Sequence, residues 1–202
     1  MLGADPFSRE DCQVVTTGVI HGRFQILHND HMKYLMAGKS RCEHLVVGIT
    51  NPDPSLTRED DSDPQRSTPL ANPLTYFERY TMIRSVLIHA SLNETQFSIV
   101  PFPINMPELY QYYVPIEATF YLTIYDQWGL KKLSYFRDNR LKTEVLWQRS
   151  VEQKGITAGH VRKMIASGGP WEDLVPPVAV SLIKKWDIPT RLKRLYALYA
   201  PD

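Results

Sequence analysis

Apolar residues along this chain fall into short continuous runs, separated by stretches in which they recur at helical spacing. Residues 14–20 form a run of strand length, and His44-Leu45-Val46-Val47-Gly48-Ile49 forms a second. Unbroken runs of this kind are expected of parallel strands covered on both faces. Between them Met32, Leu35 and Met36 recur with helical spacing, which predicts a helix over 30–41. Strand, helix and strand in that order make a βαβ unit, whose crossover should be right-handed. Phe97-Ser98-Ile99-Val100, closed by Pro101 and Pro103, predicts a third strand. Residues 119–125 predict a fourth and 144–147 a fifth. The expected class is α/β, with a mostly parallel sheet of about five strands and helices on both faces.

The helices carry their own start and stop signals. Thr75-Tyr76-Phe77-Glu78 reads as a capping box, with the Thr75 hydroxyl and the Glu78 carboxylate each accepting the other residue's backbone N–H. Tyr76, Tyr80, Ile83 and Leu87 then give a stripe that reads as core. Residues 106–113 are aromatic-rich and predicted helical. Asp126-Gln127-Trp128-Gly129 follows the fourth strand and opens a short basic helix. Thr157 is the expected N-cap of a helix ended by Gly168-Gly169, and Pro176-Pro177 starts another. In the last helix Leu192, Leu195, Tyr196 and Tyr199 share one apolar face, a candidate surface for homo-oligomer assembly.

Composition narrows the classes. The 202 residues fit a loose leader over 1–11 and a single domain over 12–202, whose C-terminal part, about 155–202, is helical. A net charge of +1 does not call for nucleic acid or an anionic membrane, and the basic face of the last helix reads as solvated. Cys12 and Cys42 suggest no disulfide staple. The polar, acid-bearing N-terminus is unlike a signal peptide, and no apolar run approaches membrane-span length, so a cytoplasmic protein is expected. The polar stretch 50–72 reads as a solvated flap. Its acids Glu59, Asp60, Asp61 and Asp63 lack the glycine and terminal glutamate of a calcium loop.

Candidate chemistry concentrates in Gly22-Arg23-Phe24-Gln25-Ile26-Leu27-His28-Asn29-Asp30-His31, at the junction of the first strand and helix. Gly22 allows backbone to approach a ligand, and His31 falls in a helix's first turn, where free N–H groups and the dipole favour an anion. His28 and His31 lack a third partner at metal-ligand spacing. The helix after Thr157 offers similar donors around Gly159, and Arg162 adds a guanidinium suited to phosphate oxygens. A solvated face and an ordinary capped helix remain the bland alternatives for each segment alone.

Taken together, these residues resemble a known signature. Gly22-Arg23-Phe24-Gln25 with His28-Asn29-Asp30-His31 is similar to the GRFQPxHxGH motif of the HxGH nucleotidyltransferases, in particular the archaeal-type NMN adenylyltransferases. Asn72-Pro73-Leu74-Thr75 with Glu78-Arg79 and Met82-Ile83 is similar to NPFTxxER…MI in the same family. Thr157-Ala158-Gly159-His160-Val161-Arg162 stands where that family has SGTxIR, and Trp171-Glu172-Asp173-Leu174-Val175-Pro176 resembles WExLVP. The resemblance spans roughly 13–195.

The resemblance implies a Rossmann-like sheet that binds a nucleoside triphosphate with Mg²⁺, the ion being held mainly through the phosphates. An acceptor oxyanion would attack the α-phosphorus and expel pyrophosphate. By position, Arg23, His28 and His31 would act on the phosphates, with Gly22, Phe24, Thr157, Gly159 and Arg162 also in the nucleotide site. Tyr110, Tyr113, Gln127 and Trp128 would mark the acceptor region. The chain departs from the pattern at Asp30, where the family has glycine, and Asp30 is expected to cap the helix. It departs again around 126–130 and in the acceptor region. These changes favour a cytidylyltransferase acting on a small phosphonate in biosynthesis over a housekeeping NMN adenylyltransferase using ATP. A non-catalytic nucleotide-binding module is a further alternative.

Overall fold

The computed structural model describes residues 14–57 and 67–199. The 1–11 leader, Cys12 and Glu59, Asp60, Asp61 and Asp63 therefore lie outside the described residues. Five strands form one sheet: β1 (Val15–Gly22), β2 (Cys42–Ile49), β3 (Phe97–Pro101), β4 (Thr119–Ile124) and β5 (Lys142–Gln148). Their order is β3-β2-β1-β4-β5, with every pairing parallel. The chain thus builds outward from β1 to one edge, then returns to β1 and builds toward the other. Pro101 is tolerated because β3 is an edge strand.

Among the described residues six α-helices accompany the sheet: α1 (Asn29–Lys39), α2 (Tyr76–His89), α3 (Gln127–Asp138), α4 (Ala158–Ser167), α5 (Pro177–Lys185) and α6 (Ile188–Tyr199). Strand side chains alternate between two cores, as the two-residue period requires. Ile20, Leu45, Val47 and Tyr121 pack in one with Leu35, Met82, Val161, Ile183 and Leu192 of the helices. Val19, Val46, Phe120 and Leu122 pack in the other against Phe136 of α3 and Tyr110. Helices therefore cover both faces, five contributing to the first core and α3 to the second.

Element ends differ from expectation by one to three residues. The first strand runs on to Gly22, and Cys42 opens β2 where the helical pattern was expected to end. The predicted helix over 106–113 is a 3₁₀ segment, Pro107–Tyr112, in which the Leu109 N–H bonds the Met106 carbonyl and the Tyr113 N–H the Tyr110 carbonyl. The Thr75 capping box forms as predicted: the Glu78 N–H donates to Thr75 Oγ1 at 3.2 Å, and the Thr75 N–H to Glu78 Oε2 at 2.8 Å. Glu78 also receives both guanidinium nitrogens of Arg191 at 2.8 Å, which fastens α6 to the start of α2. None of the described helices is long and apolar enough to cross a membrane.

Candidate active site

The sheet opens where its strand order reverses. β1 and β4 pair at Gly18–Thr119 and Val19–Phe120, then part. Open α/β sheets hold ligands in such a crevice, beyond the carboxyl ends of the strands. A cavity of about 1040 Å³ lies there, lined by residues from the ends of β1, β4 and β5 and from the starts of α1, α3 and α4. Arg23, Lys131, Lys132, Lys154 and Arg162 reach its lining, against two carboxylates, Asp30 and Asp126. In a chain with a net charge of +1 this is a local concentration of positive charge, suited to a polyanion.

Gly22 ends β1, and the chain turns through Arg23 and Phe24 into α1. A Cβ at Gly22 would lie 3.0 Å from the Phe24 ring, so glycine lets that ring tuck beneath the strand end. Phe24 itself is buried and outside the cavity lining. Its ring meets His31 edge-on at 5.1 Å, so it supports an imidazole from below. His28 is the N-cap of α1, and its ring stacks on that of His31 at 3.7 Å. The His28 N–H points to His31 Nδ1 at 3.4 Å. Burial lowers the His28 pKa from 6.5 to about 4, against a smaller upward pull from Asp30. His31 is also held well below its ordinary value, first by burial and then by the charges of His28 and Arg23, with a backbone hydrogen bond at Ile26 opposing. Without an anion present, the pair is therefore neutral at pH 7. His28 Nδ1 is buried without a hydrogen-bond partner.

Asp30 does not cap α1, contrary to expectation. The helix begins one residue earlier, at Asn29, so His28 takes the cap position and Asp30 falls in the first turn. Its carboxylate instead accepts the N–H of Ile156 at 2.6 Å and pairs with Lys33. A Cβ at Gly155, where φ is +66°, would lie 2.4 Å from Asp30 Oδ2. Glycine is thus required there for both conformation and space. The clasp joins the first turn of α1 to the residues just before α4. Thr157 then caps α4 as expected, accepting the His160 N–H at 3.2 Å. Arg162, one turn on, lines the cavity and donates to the Gln25 carbonyl, while its Nε is buried and unpartnered. Thr157 and Gly159 also line the cavity.

Two further clasps hold this architecture. The Gln25 carboxamide bonds the Leu74 backbone in both directions, at 2.9 and 2.8 Å. Arg79 is 1% exposed and donates to five backbone carbonyls: Arg23 (3.1 Å), Thr50 (2.7 Å), Asn51 (2.7 Å), Pro52 (3.1 Å) and Thr75 (3.2 Å). Arg23, Thr50 and Asn51 are themselves cavity residues. One buried guanidinium thus gathers the turns after β1 and β2 onto α2.

The acceptor-region expectations divide. Trp128 lines the cavity, and its ring receives the Lys132 ammonium at 4.6 Å. Gln127 is exposed and outside the lining, because it is the first residue of α3, beyond the Asp126 cap. Tyr110 is buried in the second core with its hydroxyl on the Ile104 carbonyl, and Tyr113 is packed beside it rather than lining the cavity. Residues that sequence reasoning passed over line the cavity as well: His21, Asn105, Tyr125, Trp147 and Lys154. Trp147 donates to the Tyr125 hydroxyl at 2.8 Å, and Lys154 pairs with Asp126 at 3.3 Å. Asp126 also accepts the Gly129 N–H. With Asp30 and Asp126 both engaged, no trio of His, Cys, Asp or Glu among the described residues converges on a metal position. The lining suits a divalent ion carried in on phosphates rather than one held beforehand by a carboxylate cage.

No protein-family model matches the chain. Among curated proteins, the phosphonoformate cytidylyltransferase of Streptomyces viridochromogenes is 47% identical over 181 residues, which is 90% of this chain and 97% of that protein. The nicotinamide-nucleotide adenylyltransferases of Thermococcus onnurineus and Thermococcus kodakarensis are 30% and 28% identical, covering 88% and 90% of this chain and 87% and 89% of theirs. Among solved structures, the bifunctional NMN adenylyltransferase/ADP ribose pyrophosphatase of Francisella tularensis, crystallised with AMP and a manganese ion, aligns with a TM-score of 0.63 at 14% identity. That alignment covers 91% of this chain and 52% of the Francisella chain, so the chain spans about half the length of its bifunctional structural neighbour. The chain is a nucleotidyltransferase with a Rossmann-like sheet. It belongs to the family that contains the Streptomyces phosphonoformate cytidylyltransferase and the archaeal nicotinamide-nucleotide adenylyltransferases.

Proposed function

We propose that this enzyme transfers a cytidylyl group from CTP to phosphonoformate or a closely similar small phosphonate, releasing pyrophosphate. The observation that carries the reading is 47% identity spread over 97% of a relative bearing that activity in its name. The cationic cavity at the β1–β4 opening is consistent with it. Arg23, His28, His31 and Arg162 bind the triphosphate. Magnesium, arriving with the phosphates, neutralises part of their charge.

The acceptor oxyanion forms a bond to the α-phosphorus while the bond from that phosphorus to the α,β-bridging oxygen breaks. Pyrophosphate departs with the electron pair. Such a reaction asks the protein mainly for positioning and for positive charge where negative charge develops. The clasps by Asp30 and Arg79 hold the phosphate-binding turns in place before substrate arrives, so little reorganisation remains at the moment of reaction.

The test is pyrophosphate release from CTP or ATP, each offered phosphonoformate or NMN. Release with CTP and phosphonoformate is expected. Turnover with ATP and NMN alone would assign the archaeal relatives' activity instead, and triphosphate binding without release for any acceptor would indicate a binding module.

A further inference from the structure

His21 is the last but one residue of β1 and sits in the cavity floor at 5% exposure. Neither ring nitrogen has a hydrogen-bond partner among the described residues. A buried imidazole left unsatisfied costs stability, and buried polar groups are rarely orphaned without a reason. Its surroundings are apolar on the side away from the cavity. The ring lies 5.0 Å from Phe136 and 5.8 Å from Phe102, centre to centre. Phe102 can come so close because Gly48, the residue paired with His21 across β1 and β2, has no side chain: a Cβ there would meet Phe102 Cβ at 2.9 Å. Aromatic rings therefore back His21 on the side away from the cavity. Lys131, Lys132 and Tyr135 of α3, with Ile104 and Asn105 after β3, line the same cavity. Burial, reinforced by the Lys132 charge, keeps His21 neutral, so the ring carries one N–H donor and one lone pair.

In the reading above Arg23, His28, His31 and Arg162 serve the triphosphate. Tyr125 and Trp147, hydrogen-bonded to each other on the β4–β5 side, offer rings to a nucleoside. The part of the lining at His21 is left to the acceptor. We propose that His21, with Lys131 and Lys132, forms the acceptor subsite, and that two lysines and one imidazole donor backed by aromatic rings select a compact, multiply charged anion with no ring or sugar. This rests on the proposed activity for its choice of acceptor. His21 donates its N–H to one oxygen of that anion, the lysines offset its charge, and Phe102 and Phe136 exclude anything deeper. His21 is a specificity-determining residue, and being neutral it supplies a donor rather than a proton.

The experiment is calorimetric binding of phosphonoformate to the full chain, alongside CTP binding and thermal unfolding, for wild type, His21→Phe, His21→Gln and Lys132→Met. His21→Phe is expected to lose at least tenfold in phosphonoformate affinity, keep CTP affinity within twofold, and melt no lower than wild type, because it removes an unsatisfied polar ring. A merely structural histidine would move stability and leave the acceptor untouched. His21→Gln keeps a donor and should recover most of the affinity, and Lys132→Met should weaken phosphonoformate binding several-fold. Unchanged phosphonoformate affinity in His21→Phe would overturn the inference, as would no binding to wild type. If His21→Phe fails to fold, unchanged affinity in Lys132→Met overturns it and a loss there supports it. Binding without pyrophosphate release from CTP would sink the proposed activity alone and leave the subsite standing.

Discussion

Replacing Arg79 by methionine tests whether one buried guanidinium holds the site's turns together. Among the described residues the side chain, 1% exposed, makes five hydrogen bonds to carbonyls and none to a carboxylate. Burial lowers its pKa to about 10, so it stays charged at pH 7. Methionine fills similar volume but strands the carbonyls of Arg23, Thr50, Asn51 and Pro52. Thr75 keeps a partner, since its carbonyl also accepts the Arg79 backbone N–H. Each stranded carbonyl costs about 1–3 kcal/mol. The sum overshoots, because water can enter and because the buried charge itself carried a desolvation cost. Breaking a buried charged network typically costs about 3–5 kcal/mol, and that is the expected loss. For a chain of this length it corresponds to a fall in Tm of roughly 6–20 °C. Denaturant unfolding gives the free energy directly. In the folded fraction, CTP affinity should fall about tenfold, since Arg23 and Asn51 lose their anchor and such misplacement is costly. Arg79→Lys keeps the charge but not the fork and should recover only part of either quantity. A loss below about 1 kcal/mol in Arg79→Met, with an unchanged denaturant slope, would refute the role assigned to this residue.

Stability should also depend on pH through the buried histidines. Between pH 6.5 and about 4 the unfolded chain takes up a proton at His28 that the native chain refuses. Stability is therefore complete above pH 6.5 and falls as the pH drops toward 4, by about 3 kcal/mol from this group. His21 and His31, both lowered, act in the same direction. Urea midpoints across this window should flatten in His28→Asn, and a flat wild-type profile would contradict the burial argument. His31→Ala should lower kcat by roughly 10²–10³, the scale for losing one charge-stabilising donor, and a loss of tenfold or less would make His31 structural. Arg162→Ala should weaken CTP binding without unfolding the chain, as judged by calorimetry and circular dichroism. Unchanged affinity would remove α4 from the phosphate site. Gly155→Ala forces a side chain into left-handed backbone against Asp30 and should cost more than about 1 kcal/mol, with triphosphate affinity falling because the clasp to α4 opens. Wild-type stability in that variant would dismiss the clasp.

By itself the sequence determined what depends on neighbours in the chain. Continuous apolar runs marked all five strands, and the Thr75 and Thr157 caps formed as expected, because a cap bonds an N–H three residues away. The His28–His31 stack was likewise foreseeable in outline, since one helical turn brings such residues together. Only the tertiary structure could decide the rest. Asp30 looked like a cap from its place in the chain, yet its carboxylate serves Ile156, 126 residues on. Arg79 stood out only as part of the Glu78-Arg79 resemblance, with no sign that four carbonyls from two distant turns would converge on it. Tyr110 looked like part of a binding surface and lies in the core, while His21 looked like one more strand residue and lines the cavity floor. The difference lies in the strand order. Hydrophobic periodicity tells each strand which residues to bury but not which neighbour it will have, and here the reversal beside β1 determines where the crevice opens and what meets inside it.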